Sequence, residues 1–276
     1  MTDVIQGDKF VKIADYTYAP EIKCDGDYDK LSNTFDISKV KYGDIIYTHT
    51  FYVKQLFEII KNIDKQVTVV THNSDTNVDF TPPDNVFKWF TQNVNIYHPK
   101  IESIPIGLEN DRWFPNLKKK EKMIDKLQQP REHKNLVYMN HNVDNNPPKR
   151  LKPYQLLENK SWVTSVRGVN GIGFDEYLDN IYNHKFVICP DGNGIDTHRL
   201  WECLYMGSIP IVKRSCNSFF YIMLPICMVD DWEEVTEDYL NTTLADFEDK
   251  RRHMIWNMKQ LEFGYWKDKI TNAILR

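Results

Sequence analysis

Cysteine is scarce and badly spaced for either of its structural uses. The 276 residues contain five, at positions 24, 189, 203, 216 and 227, an odd set with no Cys-x-x-Cys pair. Neither a disulfide framework nor a thiolate zinc site follows from that spacing. Long apolar runs are missing too, since no segment approaches the ~18–20 residues that a bilayer-spanning helix needs. The opening octet, MTDVIQGD, has neither a basic nor an apolar region, so no secretory leader is expected and a soluble, cytoplasmic chain is. An excess of positive charge is also lacking: 35 Lys and Arg stand against 39 Asp and Glu, a net charge of −4 with a pI near 6.1. Such a chain has no global field for a phosphate backbone, and nucleic acid is not an expected partner. No Gly-x-Ser-x-Gly elbow, Walker loop or His-Glu-x-x-His pair occurs, which removes the signatures of serine hydrolases, P-loop enzymes and zinc hydrolases.

What is present is an ordinary globular balance, 41% apolar and 27% charged residues, enough to build a core. Short apolar runs alternate with helical patterns. Asp44–Tyr47, Gln66–Thr71 and Ile101–Ile106 read as strands; Phe51–Ile60 has a helical face, and Asn85–Thr91 reads as a short helix. The charged stretch Lys118–Lys134, which contains Pro130, reads as a solvated linker or helix face rather than a grip for an acidic partner. A second series follows, with strands at 135–139, 162–166, 186–189 and 209–212 and helices near 154–159, 174–183 and 197–206. Apolar and aromatic residues between Leu244 and Leu275 suggest a long terminal helix. Strands alternating with helices imply parallel sheets. The expected organisation is an N-terminal domain over 1–125, a second over 126–245 and a C-terminal helix over 246–276 that packs back across both. Between two such domains lies a cleft, bordered by the carboxyl ends of the strands, where ligands bind.

The most informative segment is KFVICPDGNGIDTHRLWECLYMGSIPIVK, residues 185–213. It reads as a buried strand, a Pro/Gly turn, a helix start and another buried strand. Asp196 or Thr197 is suited to cap the helix, whose first N–H groups and dipole make an anion site. Gly192 and Gly194 permit close backbone approach. Arg199 sits in the helix's first turn, where a cation opposes the dipole; that placement is understandable if it neutralises a bound diphosphate. Glu202, three residues on, shares its face and suits ribose hydroxyls. The same spacing also fits a turn shaped by Pro and Gly with Arg199 and Glu202 paired on a helix surface.

This segment resembles the C-terminal signature of the exostosin family of glycosyltransferases. Lys185, Phe186, Cys189, Pro190, Gly192, Asp196, Arg199, Glu202, Gly207, Pro210 and Val212 fall in the order of that signature, over about thirty residues. The resemblance implies a GT-B fold, two Rossmann-like domains facing a cleft, with a nucleotide sugar held mainly by the second domain. It implies that Arg199 meets the diphosphate and Glu202 the ribose, and that the reaction is an inverting transfer from a UDP-sugar to a glycan hydroxyl without a metal cofactor. A narrower likeness, to compact virus-encoded xylosyltransferases, implies UDP-xylose. The alternative from another class is a nucleotide-sugar or glycan-binding module without turnover.

Other strand exits supply candidates for the remaining roles. Thr71-His72-Asn73-Ser74-Asp75 follows the QVTVV strand, and inverting transfer needs a base for the acceptor hydroxyl. Asp75 and His72 both qualify, with Asp75 preferred because a carboxylate also stabilises oxocarbenium-like charge; a polar turn satisfying its own backbone is the competing reading. Glu109 and Asn110 leave another strand toward the acceptor or form a surface turn. Arg150 is a candidate second cation for the diphosphate, and Arg167 a candidate border of the base pocket. Asp25-Gly26-Asp27 formally matches a two-carboxylate metal motif, but no apolar strand precedes it and no metal site is expected there. Trp201 and Trp232 are core residues or sugar-stacking platforms.

Overall fold

The alternation of short β-branched runs with amphipathic helices builds two parallel sheets. The computed structural model describes residues 3–20, 31–113, 118–132, 135–166 and 172–275. The first half contains α1 (Gly7–Val11), β1 (Tyr16–Thr17), β2 (Ile45–His49), α2 (Val53–Ile60), β3 (Val67–His72), β4 (Val86–Thr91) and β5 (Ile101–Ser103). Its strands run parallel in the order β1-β2-β3-β4-β5. Every residue of β2 and β3 is buried, as expected where both faces of a sheet are covered. The period of two divides these strands between two clusters. Ile46, Val69 and Trp89 pack with the α2 residues Val53, Leu56, Phe57 and Ile60. Tyr47, Val70 and Phe90 face the opposite way, into a cluster shared with the second half.

The second half contains α3 (Lys119–Leu127), β6 (Val137–Met139), α4 (Pro147–Leu157), β7 (Val163–Ser165), α5 (Phe174–Asn183), β8 (Phe186–Ile188), α6 (His198–Met206), β9 (Ile209–Lys213), α7 (Ser218–Tyr221), β10 (Cys227–Val229), α8 (Glu237–Arg252) and α9 (Phe263–Thr271). Its strands are parallel in the order β10-β9-β8-β6-β7. Two parallel α/β halves facing a cleft are the GT-B arrangement.

Two local expectations are corrected, and one open reading is resolved. Asn85–Thr91, read as a helix, is β4 over Val86–Thr91; a run this short, with Val, Phe and Trp at four of its six positions, fits either period, and the open slot beside β3 decides. The charged stretch after residue 118 carries α3, which lies along α5 through Lys122–Asp175 (2.8 Å) and the Lys126–Asp179 pair. The pattern over 244–275 is not one helix. α8 ends at Arg252, Met254 turns with φ 52°, a 3-10 turn occupies Met258–Leu261, and α9 follows. A straight helix of that length would extend about 48 Å, past the core that Trp266 and Ile270 enter. The break lets α9 return across the molecule. Phe263 N–H donates to the Asp3 carbonyl (2.9 Å), Lys269 pairs with Glu102, and Trp266 packs edge-on to Phe220 (centroids 5.2 Å apart).

The halves share a continuous apolar cluster, in which Ile5, Phe10, Ile104 and Leu108 meet Leu200, Trp201 and Leu204. At its centre the carboxylate of Asp196, 3% exposed, accepts from Ile106 N–H (2.7 Å) of the first half and from Trp201 Nε1 (2.9 Å) and Tyr221 Oη (3.1 Å) of the second. The Asp196 N–H donates to Asn93 Oδ1 at 3.0 Å. A Cβ at Gly194 would lie 2.6 Å from the Asn93 amide nitrogen, so a side chain there would force the halves apart. Trp201 and Trp232 are buried in the core, 0% and 3% exposed, and do not form a sugar platform.

Candidate functional site

α6 starts where β8 ends, and its position is set by what it buries. Leu200, Trp201, Cys203 and Leu204 fill the core, which turns Arg199 and Glu202, one helical step apart, to the cleft. Gly207, φ 73°, closes the helix in the left-handed region. At the other end Thr197 is the N-cap residue, with an extended backbone and no side-chain capping bond. The first-turn N–H groups thus face the cleft without the usual hydroxyl or carboxylate over them. Asp196, the other expected cap, is committed to the interface between the halves.

A cavity of about 580 Å³ opens over this helix end, lined among others by Arg150, Arg199, Glu202, Asn140, Gly192 and Tyr177. The Arg199 guanidinium bonds Asn140 Oδ1 and lies 5.4 Å from the Tyr177 ring centroid. Burial works against its charge, but Tyr177, Cys189, Cys203 and Glu202 outweigh that effect and hold its pKa above the ordinary value. Glu202, 5% exposed, accepts from Tyr177 Oη at 2.5 Å and lies 3.7 Å from Lys119 Nζ. Arg150 comes from α4 and is fixed by the Asp191 carbonyl (2.8 Å) and the Asn142 carbonyl (2.9 Å). Burial, followed by the charge of Arg199, pushes its pKa down. Two guanidiniums that repel one another along one cavity wall favour an anion between them.

The opposite wall comes from the first half. A second cavity, about 350 Å³, is lined by His49, His72, Asn73, Asp75, Glu109 and Asn110 among others. Asp75, Ile106, Glu109 and His198 line both cavities, so the two adjoin. Asp75 is exposed and receives a 3.3 Å hydrogen bond from Asn193 across the cleft. Glu109 Oε2 lies 3.4 Å from His198 Nε2, while His198 Nδ1 donates to the Gly107 carbonyl (2.8 Å). Asn110 is buried within a network, accepting from Asp8 N–H (2.9 Å) and donating to Asn73 Oδ1 (3.2 Å).

His72 is also held from all sides. Its Nε2 donates to the Pro105 carbonyl (2.9 Å), its Nδ1 accepts from Asn73 N–H (2.8 Å), and its ring stacks on Phe10 (4.9 Å). Burial pulls its pKa down to about 4. The neutral ring therefore has both nitrogens engaged and no lone pair facing a substrate, whereas the Asp75 carboxylate is open to the cleft.

Most residues singled out from the sequence converge here: Asp75, His72, Glu109 and Asn110 on one wall; Arg150, Thr197, Arg199, Glu202 and Gly194 on the other. Arg167, Asp25 and Asp27 lie outside the described residues. Among the described residues no group of three or more His, Cys, Asp or Glu side chains is arranged to hold a metal ion. Tyr177, Lys119 and His198 were not anticipated. His198 had a signal, as the first residue after the cap of the motif helix, but Tyr177 and Lys119 reach Glu202 from helices distant in sequence.

No family model and no curated protein sequence matches the chain. Among solved structures it is similar to an α1,3-fucosyltransferase (10% identity, 86% of this chain and 79% of that chain covered, TM-score 0.43). It is also similar to a UDP-forming trehalose-phosphate synthase from Burkholderia vietnamiensis (10%, 87% and 76%, 0.45) and to a glycosyltransferase from Rickettsia africae (15%, 84% and 77%, 0.41). Likenesses of this depth carry no conclusion about activity.

Proposed function

We propose that the chain transfers a glycosyl group from a UDP-sugar to a hydroxyl of a glycan. The observation that carries this reading is the pair of guanidiniums, Arg150 and Arg199, beside the N-terminus of α6 in a cavity of about 580 Å³, facing the open carboxylate of Asp75. Arg199, Arg150 and the helix terminus bind the diphosphate, and Glu202, oriented by Tyr177, accepts from the ribose. In the inverting step the acceptor oxygen attacks the anomeric carbon as the bond from that carbon to the diphosphate breaks. The hydroxyl proton passes to Asp75, and the departing electron pair is stabilised by the arginines. His72 and Asn110 hold the loop that carries Asp75. Glu109, with His198, faces the acceptor side. The two cations and the helix terminus supply the charge stabilisation of the leaving group, so the reaction proceeds in EDTA. The narrower likeness to compact virus-encoded xylosyltransferases supports UDP-xylose as donor.

The test is steady release of UDP from UDP-xylose and other UDP-sugars in the presence of sugar acceptors, with and without EDTA. Release that depends on the acceptor supports a transferase. Binding of UDP-sugar without release assigns the chain to a binding module instead.

A further inference from the structure

A cavity of about 310 Å³ at the far edge of the interface, between β5, α7 and α9, shares no lining residue with the cleft. Two exposed rings stand at its mouth. Tyr97 and Phe219 meet edge-to-face, with centroids 5.4 Å apart and an interplanar angle of 86°, and remain 66% and 70% exposed. Gln260, 9% exposed, is among the residues lining the cavity, and its Oε1 is buried beside it with no hydrogen-bond partner. The backbone of the same residue is fully used: its N–H donates to the Asn257 carbonyl (3.1 Å) and its carbonyl accepts from Trp266 Nε1 (2.9 Å). A buried amide oxygen left unpaired is costly, and in a native structure it marks a missing partner.

The chemistry of the walls defines that partner. The charged pair at the cavity, Lys269 with Glu102, is neutralised internally, and Ser103 Oγ donates to Asn217 Oδ1 (3.1 Å). The site therefore favours a neutral molecule over a phosphate or an acidic peptide. Aromatic faces suit the C–H face of a pyranose ring, and a carboxamide offers both a donor and an acceptor to vicinal hydroxyls. The volume lies at the lower end of the ~300–1,000 Å³ range of ligand sites, which fits one or two sugar rings and is too small for a sugar nucleotide. We infer that this cavity is a second carbohydrate site, taking a neutral pyranoside between Tyr97, Phe219 and Gln260. The inference is independent of the role given to the cleft.

Saturation-transfer NMR on the full chain, with the methyl pyranosides of xylose, glucose, galactose and fucose as probes, tests it. At least one probe is expected to receive saturation from the wild-type chain and from Arg199→Ala. In Phe219→Ala and in Gln260→Leu its affinity is expected to fall about tenfold, equivalent to ~1.4 kcal/mol of lost contact. Phe219 is exposed, so its variant keeps the fold, which thermal melting verifies. No transfer from any of the four probes overturns the inference. So does transfer that is lost in Arg199→Ala and unchanged in the other two variants, because it then arises in the cleft. Sedimentation showing a dimer that Phe219→Ala dissociates overturns it as well, assigning the rings to contact with a second copy. Loss of UDP binding in Arg199→Ala reports on the cleft alone.

Discussion

The two walls of the cleft are built on opposite principles. The wall from the second half is cationic and local: Arg199, Glu202 and the N-terminus of α6 lie within a few residues, and Arg150 is added by one neighbouring helix. The wall from the first half is assembled from four separate segments, with Asp8, His72 to Asp75, Gln92 and Asn110 joined by hydrogen bonds such as Asn73 Nδ2 to Asp8 Oδ1 (3.2 Å) and Asn73 N to Gln92 Oε1 (3.0 Å). In that network the polar groups satisfy each other, and Asp75 is left open. One wall concentrates positive charge. The other holds Asp8 within its network and leaves Asp75 exposed to the cleft.

This contrast is broken most strongly at Asp75. Asp75→Asn preserves shape and polarity but removes the proton acceptor, and positioned general-base catalysis contributes ~10²–10⁴ in rate. The expected outcome is a fall in kcat of that order with UDP affinity unchanged, measured by UDP release and by calorimetry. A variant that keeps its kcat would make Glu109 the next carboxylate to replace. Arg199→Ala should give the opposite pattern. Losing hydrogen bonds to a charged group worth ~1.5–3 kcal/mol weakens UDP binding by about 10–100-fold, and Arg150→Ala weakens it in the same direction. Equal UDP affinity in wild type and Arg199→Ala would remove the diphosphate from this wall.

Where the walls meet, the effect is expected first on stability. Asp196→Ala strips Ile106 N–H, Trp201 Nε1 and Tyr221 Oη of their shared acceptor. Orphaned buried donors cost ~1–3 kcal/mol each, so a lowered Tm and a cleft with weakened donor binding are expected together. Asp196→Asn, which keeps an acceptor oxygen, should recover part of both.

Acid provides the most graded comparison. Burial holds His72 in the first half and His141 in the second at a pKa of about 4, against the usual 6.5. The unfolded chain takes up those protons near pH 6.5, while the native rings refuse them until about pH 4. Their contribution is therefore full above pH 6.5 and lost as the pH falls through about 4. Asp196 has the opposite sign. Burial lifts its pKa from 3.8 to about 6, so its contribution is full below 3.8 and lost as the pH rises through about 6. Asp191, whose carboxyl burial also raises, shares the sign of Asp196. The two histidines carry the larger shifts, and the urea midpoint should fall as the pH drops from 6.5 to 4. His72→Gln should flatten that slope and Asp196→Asn should steepen it.

How far the sequence could be read follows the same division. The segment from Lys185 to Lys213 holds strand, turn, helix and strand in one run, so Arg199, Glu202 and the cationic helix end were visible before any contact was known. The strand exit at His72–Asp75 was visible as well, because a polar cluster after a buried β-branched run marks the carboxyl end of a parallel strand. His72 as a base was not refuted by sequence, since only the Pro105 carbonyl and the Asn73 N–H, brought to its two nitrogens by folding, remove its lone pair. Asp196 looked like a helix cap because caps are chosen by local spacing, while its real partners include an N–H ninety residues away. β4 was misread because a six-residue run with four apolar and aromatic residues satisfies both periods, and only a vacant place between β3 and β5 selects the strand.

The sequence by itself determined the parallel α/β halves, the order of most elements and the cationic helix end, because each depends on periodicity or on spacing within one run. Only the tertiary structure decided which carboxylate is open, which histidine is committed, where the C-terminal helix breaks and that Gln260 Oε1 is left without a partner. Those outcomes depend on pairings between segments far apart in the chain, where burial and the supply of hydrogen-bond partners outweigh any local preference.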